Sequence, residues 1–271
     1  MNNRSNAALV CVLCILFLGA CNGSDKKPAE DIPAPAPVPA YISALQEAVN
    51  KYPDSASLRL QYASGLDSIG SFKEALLHMD TLVGKDSTNY GLWFFRGQVS
   101  EEAQDTVAAI DNYTRAIKVY PSPEAQLTLA NLYAEMKEKK ALLICKTVRD
   151  LSLGRETDAS CDFIAGIYHA RTGNGELAVK LFDQCIANNF TYMPAYIEKG
   201  LVYFDNKKYD EAMKVFQFAS TVNNLYADAY YYIARCYEMT GKKDSAATRF
   251  QQALSLDKNL VEAKKGLERV K

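Results

Sequence analysis

The sequence predicts an all-α chain: a right-handed superhelical solenoid of about six helix pairs, with a capping helix at each end. Three observations carry this. The stretch KGLVYFDNKKYDEAMKVF, Lys199 to Phe216, reads as two short amphipathic helices meeting at a tight turn, and IARCYEMTGKKDSAATRF repeats it, with Gly200 and Ala234 standing 34 residues apart, as do Ala212 and Ala246. A small residue of the first helix recurs as Ala63, Gly97, Ala130, Gly166, Gly200 and Ala234, and an alanine of the second as Ala75, Ala109, Ala141, Ala178, Ala212 and Ala246. Their spacing is 12 residues in every pair but the third, where it is 11. A third position, seven residues after each alanine, holds Leu82, Ala116, Val148, Cys185, Ala219 and Ala253. One helix pair cannot bury its apolar face alone, so a fixed period of this length means stacked neighbours.

Residues 1–20 carry one charge, Arg4, ahead of the apolar run AALVCVLCILFLGA. A short charged start and a hydrophobic core too brief for a comfortable membrane span make a secretion signal. Cys11 and Cys14 form a CxxC by spacing, but inside this leader they are expected to be cleaved away. Residues 21–40, CNGSDKKPAEDIPAPAPVPA, hold five of the nine prolines. Such a segment cannot build a core and favours an extended polyproline II tether rising about 3.1 Å per residue. Residues 41–52 carry Ile42, Leu45, Ala48 and Val49 on one helical face before Pro53, and read as the first cap.

The repeats fall near 56–89, 90–122, 123–158, 159–192, 193–226 and 227–260 within a solenoid spanning 41–271. Gly70, Gly173 and Gly241 mark turns where a positive φ is cheap, and Pro121 closes the second repeat. The third repeat loses a residue between its small positions, and the extra residues that follow lie in LSLGRETDAS, Leu151 to Ser160, where a longer loop and a change of pitch are expected. The end, 261–271, is mostly charged and reads as a solvating cap.

The 34-residue pattern of small and aromatic positions resembles the tetratricopeptide repeat family over residues 41–271. The resemblance implies that first helices line a concave face that binds extended or helical peptides. Transferred by register, that face holds Ser64, Asp67, Phe94, Gln98, Glu101, Glu102, Asn131 and Glu135 in a polar, acidic amino-terminal half. The carboxy-terminal half holds Phe163, Ile167, Ile197, Leu201, Phe204, Tyr231 and Arg235, largely apolar, over which a partner's apolar face is expected to lie. Separately, Leu18-Gly19-Ala20-Cys21 resembles the bacterial lipobox, which implies signal removal and lipidation of Cys21. Asn22 in place of aspartate is similar to enterobacterial sorting that favours the outer membrane. Lipoproteins of similar build include type IV pilus pilotins, the outer-membrane assembly lipoprotein of the barrel machinery, and cell-wall-hydrolase adaptors, all assembly scaffolds.

Lysine plus arginine number 31 against 32 aspartate plus glutamate, so no basic footprint for nucleic acid exists. The 17 tyrosines fall largely at repeat positions and need no cofactor to explain them. His78 and His169 lie in different repeats away from any nucleophile, and no GxSxG, HExxH or phosphate-cradling loop is present. Glu101 and Glu102 are adjacent on a helix, so their carboxylates are expected to diverge into solvent. Cys145, Cys161, Cys185 and Cys236 lie in repeat helices without metal-ligand spacing. Cys161 and Cys185 fall near the outer ends of the fourth hairpin, a placement that admits either a disulfide or two buried thiols. The expected function is that of a non-enzymatic, membrane-anchored adaptor for envelope proteins or peptides, without cofactor or metal. The alternatives are a glycan-capture lipoprotein of nutrient uptake and a cell-wall hydrolase.

Overall fold

Helix starts are written locally. Ser55, Asn89, Asp105, Ser122 and Asn174 each precede a helix, and each side chain accepts a hydrogen bond from the backbone N–H three residues on. That bond satisfies a donor the helix itself cannot. The computed structural model describes residues 38–271; the leader, Cys21 and most of the proline-rich segment lie outside them. Among the described residues there are fourteen α-helices and no strand. A first helix, α1 (Ala40–Lys51), precedes six antiparallel pairs. These are α2 (Ala56–Ser68) with α3 (Phe72–Lys85), α4 (Tyr90–Glu102) with α5 (Thr106–Val119), and α6 (Pro123–Glu135) with α7 (Lys140–Arg149). Then come α8 (Arg155–Arg171) with α9 (Gly175–Asn188), α10 (Met193–Asp205) with α11 (Tyr209–Val222), and α12 (Ala227–Met239) with α13 (Lys243–Leu256), before a last helix, α14 (Val261–Val270).

Within every pair the chain turns through one left-handed residue. Gly70, Gly173 and Gly241 take φ of 76°, 85° and 75°, while Gln104, Lys137 and Lys207 occupy the same place in the other pairs at 60–62°. A left-handed residue just past a helix end lets its N–H cap the last carbonyls. Here Gly70 N–H reaches the Asp67 carbonyl and Lys207 N–H that of Phe204, both at 2.9 Å.

The recurring small positions are all buried. They admit a large side chain from the partner helix, four residues after each alanine: Met79, Tyr113, Phe182, Phe216 and Phe250. The fit is close. A Cβ on Gly200 would stand 2.2 Å from the Phe216 ring, and one on Gly166 would stand 2.5 Å from Phe182. In the third pair that large position holds Cys145 instead.

One loop differs from expectation. The segment Leu151–Ser160 is not an extended connection, because α8 opens at Arg155 and takes up six of its residues. Gly154, at φ 105°, makes the bend. Glu156 and Asp158 then sit in the first turn, where the helix dipole favours negative charge. The price is a short α7 of 10 residues beside a 17-residue α8.

Candidate functional site on the inner helix face

Beyond the helices next in sequence, α6 packs on α8, α8 on α10, α10 on α12 and α12 on α14. These closer next-nearest approaches join first helices to one another and the last of them to α14, which puts the first helices on the inner side of the stack's curve. Between α4, α5 and α6 lies a pocket of about 380 Å³ lined by Gln98, Glu101, Glu102, Gln104, Tyr113 and Thr128. Contrary to expectation, the two adjacent glutamates border the same recess. The Tyr113 hydroxyl donates to Glu101 Oε2 at 2.9 Å. Burial, and then this bond to a carboxylate, push the phenol well above its usual range. Asp67 on α2 is also raised, by burial and by the charge of Glu102. Asp67 Oδ1 and Asn131 Oδ1 have no hydrogen-bond partner. Among the described residues, no ion pair reaches Asp67, Glu101 or Glu102. The recess is therefore rich in acceptors and lacks a cation.

Farther along, the carboxylates are neutralised from within. Arg171 on α8 sets one fork on Glu135 of α6 at 2.8 and 3.0 Å, and another on Glu198 of α10 at 2.9 and 3.1 Å. These charge-assisted bonds hold the guanidinium above its ordinary pKa. Arg269 of α14 forks onto Glu238 of α12 at 2.8 and 3.0 Å, and Arg235 joins the same carboxylate at 3.1 Å. Arg235 also lies 5.6 Å from the Phe204 ring centroid and donates to the Tyr231 hydroxyl.

Comparison with known proteins fits this architecture. The family model described as tetratricopeptide repeat matches residues 203–269. A tetratricopeptide repeat protein from Parabacteroides merdae superposes with a TM-score of 0.71 at 19% identity, covering 84% of this chain and 90% of that one. Residues 203–269 thus match tetratricopeptide repeats, and the described chain has the fold of that solenoid. PilW, a type IV pilus biogenesis factor, shares the fold with a TM-score of 0.61 at 15% identity, over 78% of this chain and 98% of its own. Sequence relatives include a probable UDP-N-acetylglucosamine–peptide N-acetylglucosaminyltransferase, SPINDLY, of Hordeum vulgare, 26% identical over 59% of this chain. Another is human DnaJ homolog subfamily C member 7, 22% identical over 80% of this chain. The matched stretches span 18% and 40% of those two proteins.

The tetratricopeptide register does not translate uniformly into a surface. Ser64, Gln98, Glu102 and Glu135 are exposed, and Asp67, Phe94, Glu101, Asn131, Phe163, Leu201, Phe204 and Arg235 are partly buried. Ile167, Ile197 and Tyr231 are core residues, 1%, 8% and 8% exposed. Tyr231 stacks toward Phe250 with ring centroids 5.9 Å apart, and Ile197 shares that cluster. The apolar strip expected over repeats four to six is thus interior at Ile167, Ile197 and Tyr231 and partly open at Phe163, Leu201 and Phe204, and Glu135 of the acidic half is held by Arg171. Arg171 itself was missed because its two partners lie 36 and 27 residues away in sequence. Thr128 and Gln104 of the recess carried no sequence signal either.

Of the two alternatives left open for the fourth hairpin, the buried thiols are the one found. Cys161 and Cys185 are separate buried thiols and not a bridge. The Cys161 thiol instead donates to the Cys145 carbonyl at 3.5 Å. Nearby, the buried carboxylate of Asp162 accepts from Arg149 at 2.6 Å and from Asn188 at 3.1 Å. His78 contacts Arg59 and the edge of Tyr62, and burial holds it below its usual pKa, as it does His169. Among the described residues no cluster of three or more metal-ligating side chains occurs.

Proposed function

We propose that this protein is a non-catalytic adaptor that captures an extended, basic peptide segment in the amino-terminal half of its inner face. The observation that carries the reading is the acceptor-rich recess of Gln98, Glu101 and Glu102, with Asp67 beside it and no cation supplied by the described residues. Three other carboxylates of the inner side, Glu135, Glu198 and Glu238, are each met by an arginine of the solenoid. A lysine or arginine of a partner would complete the recess as Arg171 completes its own site. Charge-assisted bonds of this kind carry orientation as well as affinity. The fold supports the peptide-binding role. PilW, a type IV pilus biogenesis factor, is a solenoid of the same kind. The lipobox-like leader at Cys21 places the adaptor on a membrane of the bacterial envelope in this proposal, with the outer membrane favoured by Asn22.

The test uses a library of extended peptides displayed against the purified chain. Binders should be enriched in lysine and arginine, and their affinity should fall as salt screens the recess. Gln98→Lys and Glu102→Lys change exposed side chains, so the fold is left alone. Together they should weaken binding about tenfold or more, a loss of roughly 1.4 kcal/mol. Equal binding by the double variant would place the partner elsewhere, and enrichment for acidic or wholly apolar peptides would reverse the charge assignment.

A further inference from the structure

The junction between the third and fourth repeats departs from the rest of the stack in one chemical respect. Five pairs fill the recess over their small residue with Met79, Tyr113, Phe182, Phe216 or Phe250, and the third offers Cys145. Facing it is Cys161, at a position where α6, α10 and α12 carry Ala125, Ala195 and Ala229. The two sulfur side chains are 5% and 0% exposed and share one core cluster. The Cys161 thiol donates to the Cys145 carbonyl at 3.5 Å, so its sulfur lies against the Cys145 backbone. We propose that Cys145 and Cys161 form a structural disulfide that staples α7 to α8 when the chain folds in an oxidising compartment.

The ionisation of the pair agrees with this contact. Contact with Cys145 and the nearby charge of Arg149 lower Cys161, while Cys145 is pushed up by the same contact and by burial. Cys185, by contrast, is raised by burial with no bond to either thiol, and about 12 is a value at which it stays protonated. In the reaction, one of the two thiols, as thiolate, displaces one thiolate from a small disulfide oxidant of the glutathione class, forming a mixed disulfide. The other then loses its proton and attacks the protein sulfur of that mixed disulfide, releasing the second thiol. Two S–H bonds are exchanged for one S–S bond, and the oxidant, which accepts the two electrons, leaves as two thiols. Because both sulfurs are interior in the finished fold, exchange takes place before α8 docks on α7. The bridge encloses the bend at Ser152 and Gly154, the two positive-φ residues between these helices.

The test is refolding of the reduced full-length chain in a glutathione buffer with the oxidised form in excess, followed by alkylation and tryptic mapping without reduction. The peptide Ala141–Lys146 should appear linked to Glu156–Arg171, and thermal unfolding should move up by several degrees, reversibly with dithiothreitol. Cys145→Ser and Cys161→Ser should each abolish both effects, and Cys185→Ser should abolish neither. Recovery of Cys145 and Cys161 as alkylated free thiols, persistent mixed disulfides with glutathione, or a link to the Cys185 peptide would each overturn the assignment.

Discussion

At the scale of single residues, the contact between Gly200 and Phe216 shows why small residues recur with this period. The Phe216 ring is fully buried and stands where a Cβ at residue 200 would be. Gly200→Ala therefore forces a ring with no free volume to move, and overpacking of this kind typically costs about 1–3 kcal/mol. In thermal denaturation the variant should melt several degrees below wild type. Gly84→Ala, in a helix with nothing within 4 Å of the new methyl, should not melt lower, since alanine favours helix. Equal losses at the two positions would show that the ring contact is not what the small residue serves. The close contact also explains what could be read in advance: glycine and alanine at fixed spacing report backbone approach directly. Ile167 and Tyr231 were misjudged for the complementary reason. Register says which way a residue points, but an isoleucine pointing inward along the curve is covered if the next first helix comes near enough.

At the scale of elements, α14 is tied to the stack by Arg269, whose fork on Glu238 draws that carboxyl below its usual value, with Arg235 adding to the effect. A lowered folded-state pKa stabilises the folded chain above the ordinary carboxylate range, and the stabilisation is lost as pH falls through the folded value. Glu238→Gln should therefore lower the melting temperature at neutral pH. The gap from wild type should close once the pH falls well below 4.5, the unperturbed value. A gap that stays constant down to strongly acid pH would assign the loss to packing alone. The α7–α8 connection teaches a related lesson about boundaries. The excess residues of LSLGRETDAS were visible, but not their state. Helix was chosen there because Gly154 made the bend and left Glu156 and Asp158 at a helix amino terminus, next to Arg149.

At the scale of the whole molecule, the inner face has two chemical characters. Toward the amino terminus Asp67, Glu101 and Glu102 meet no cation among the described residues, and from α6 onward the carboxylates are paired by Arg171, Arg235 and Arg269. A partner bound at the first part is thereby offered one sign of charge. If the adaptor works from a membrane, Cys21→Ser should leave the chain unprocessed and move it from the detergent phase to the aqueous phase. Each acyl methylene contributes about 0.8 kcal/mol to anchoring, so two or three chains dominate partitioning. Fatty-acid labelling that persists in the serine variant would remove the lipobox reading.

The sequence by itself determined the helix pairs, their 34-residue period, and the turns at Gly70, Gly173 and Gly241, because each is set by neighbours within one or two repeats. Tertiary structure alone decided which inward residues remained open to a ligand. It covered Ile167, Ile197 and Tyr231, turned Arg171 onto Glu135 and Glu198, and laid Cys161 against Cys145 rather than Cys185. These outcomes depend on how closely successive repeats approach, which is a sum of many contacts across the stack and has no local signature. The recess at Gln98, Glu101 and Glu102 is the clearest case: its acidity was legible in the residues, but that no cation of the described residues meets it was decided only when the arginines of the inner face had found their places.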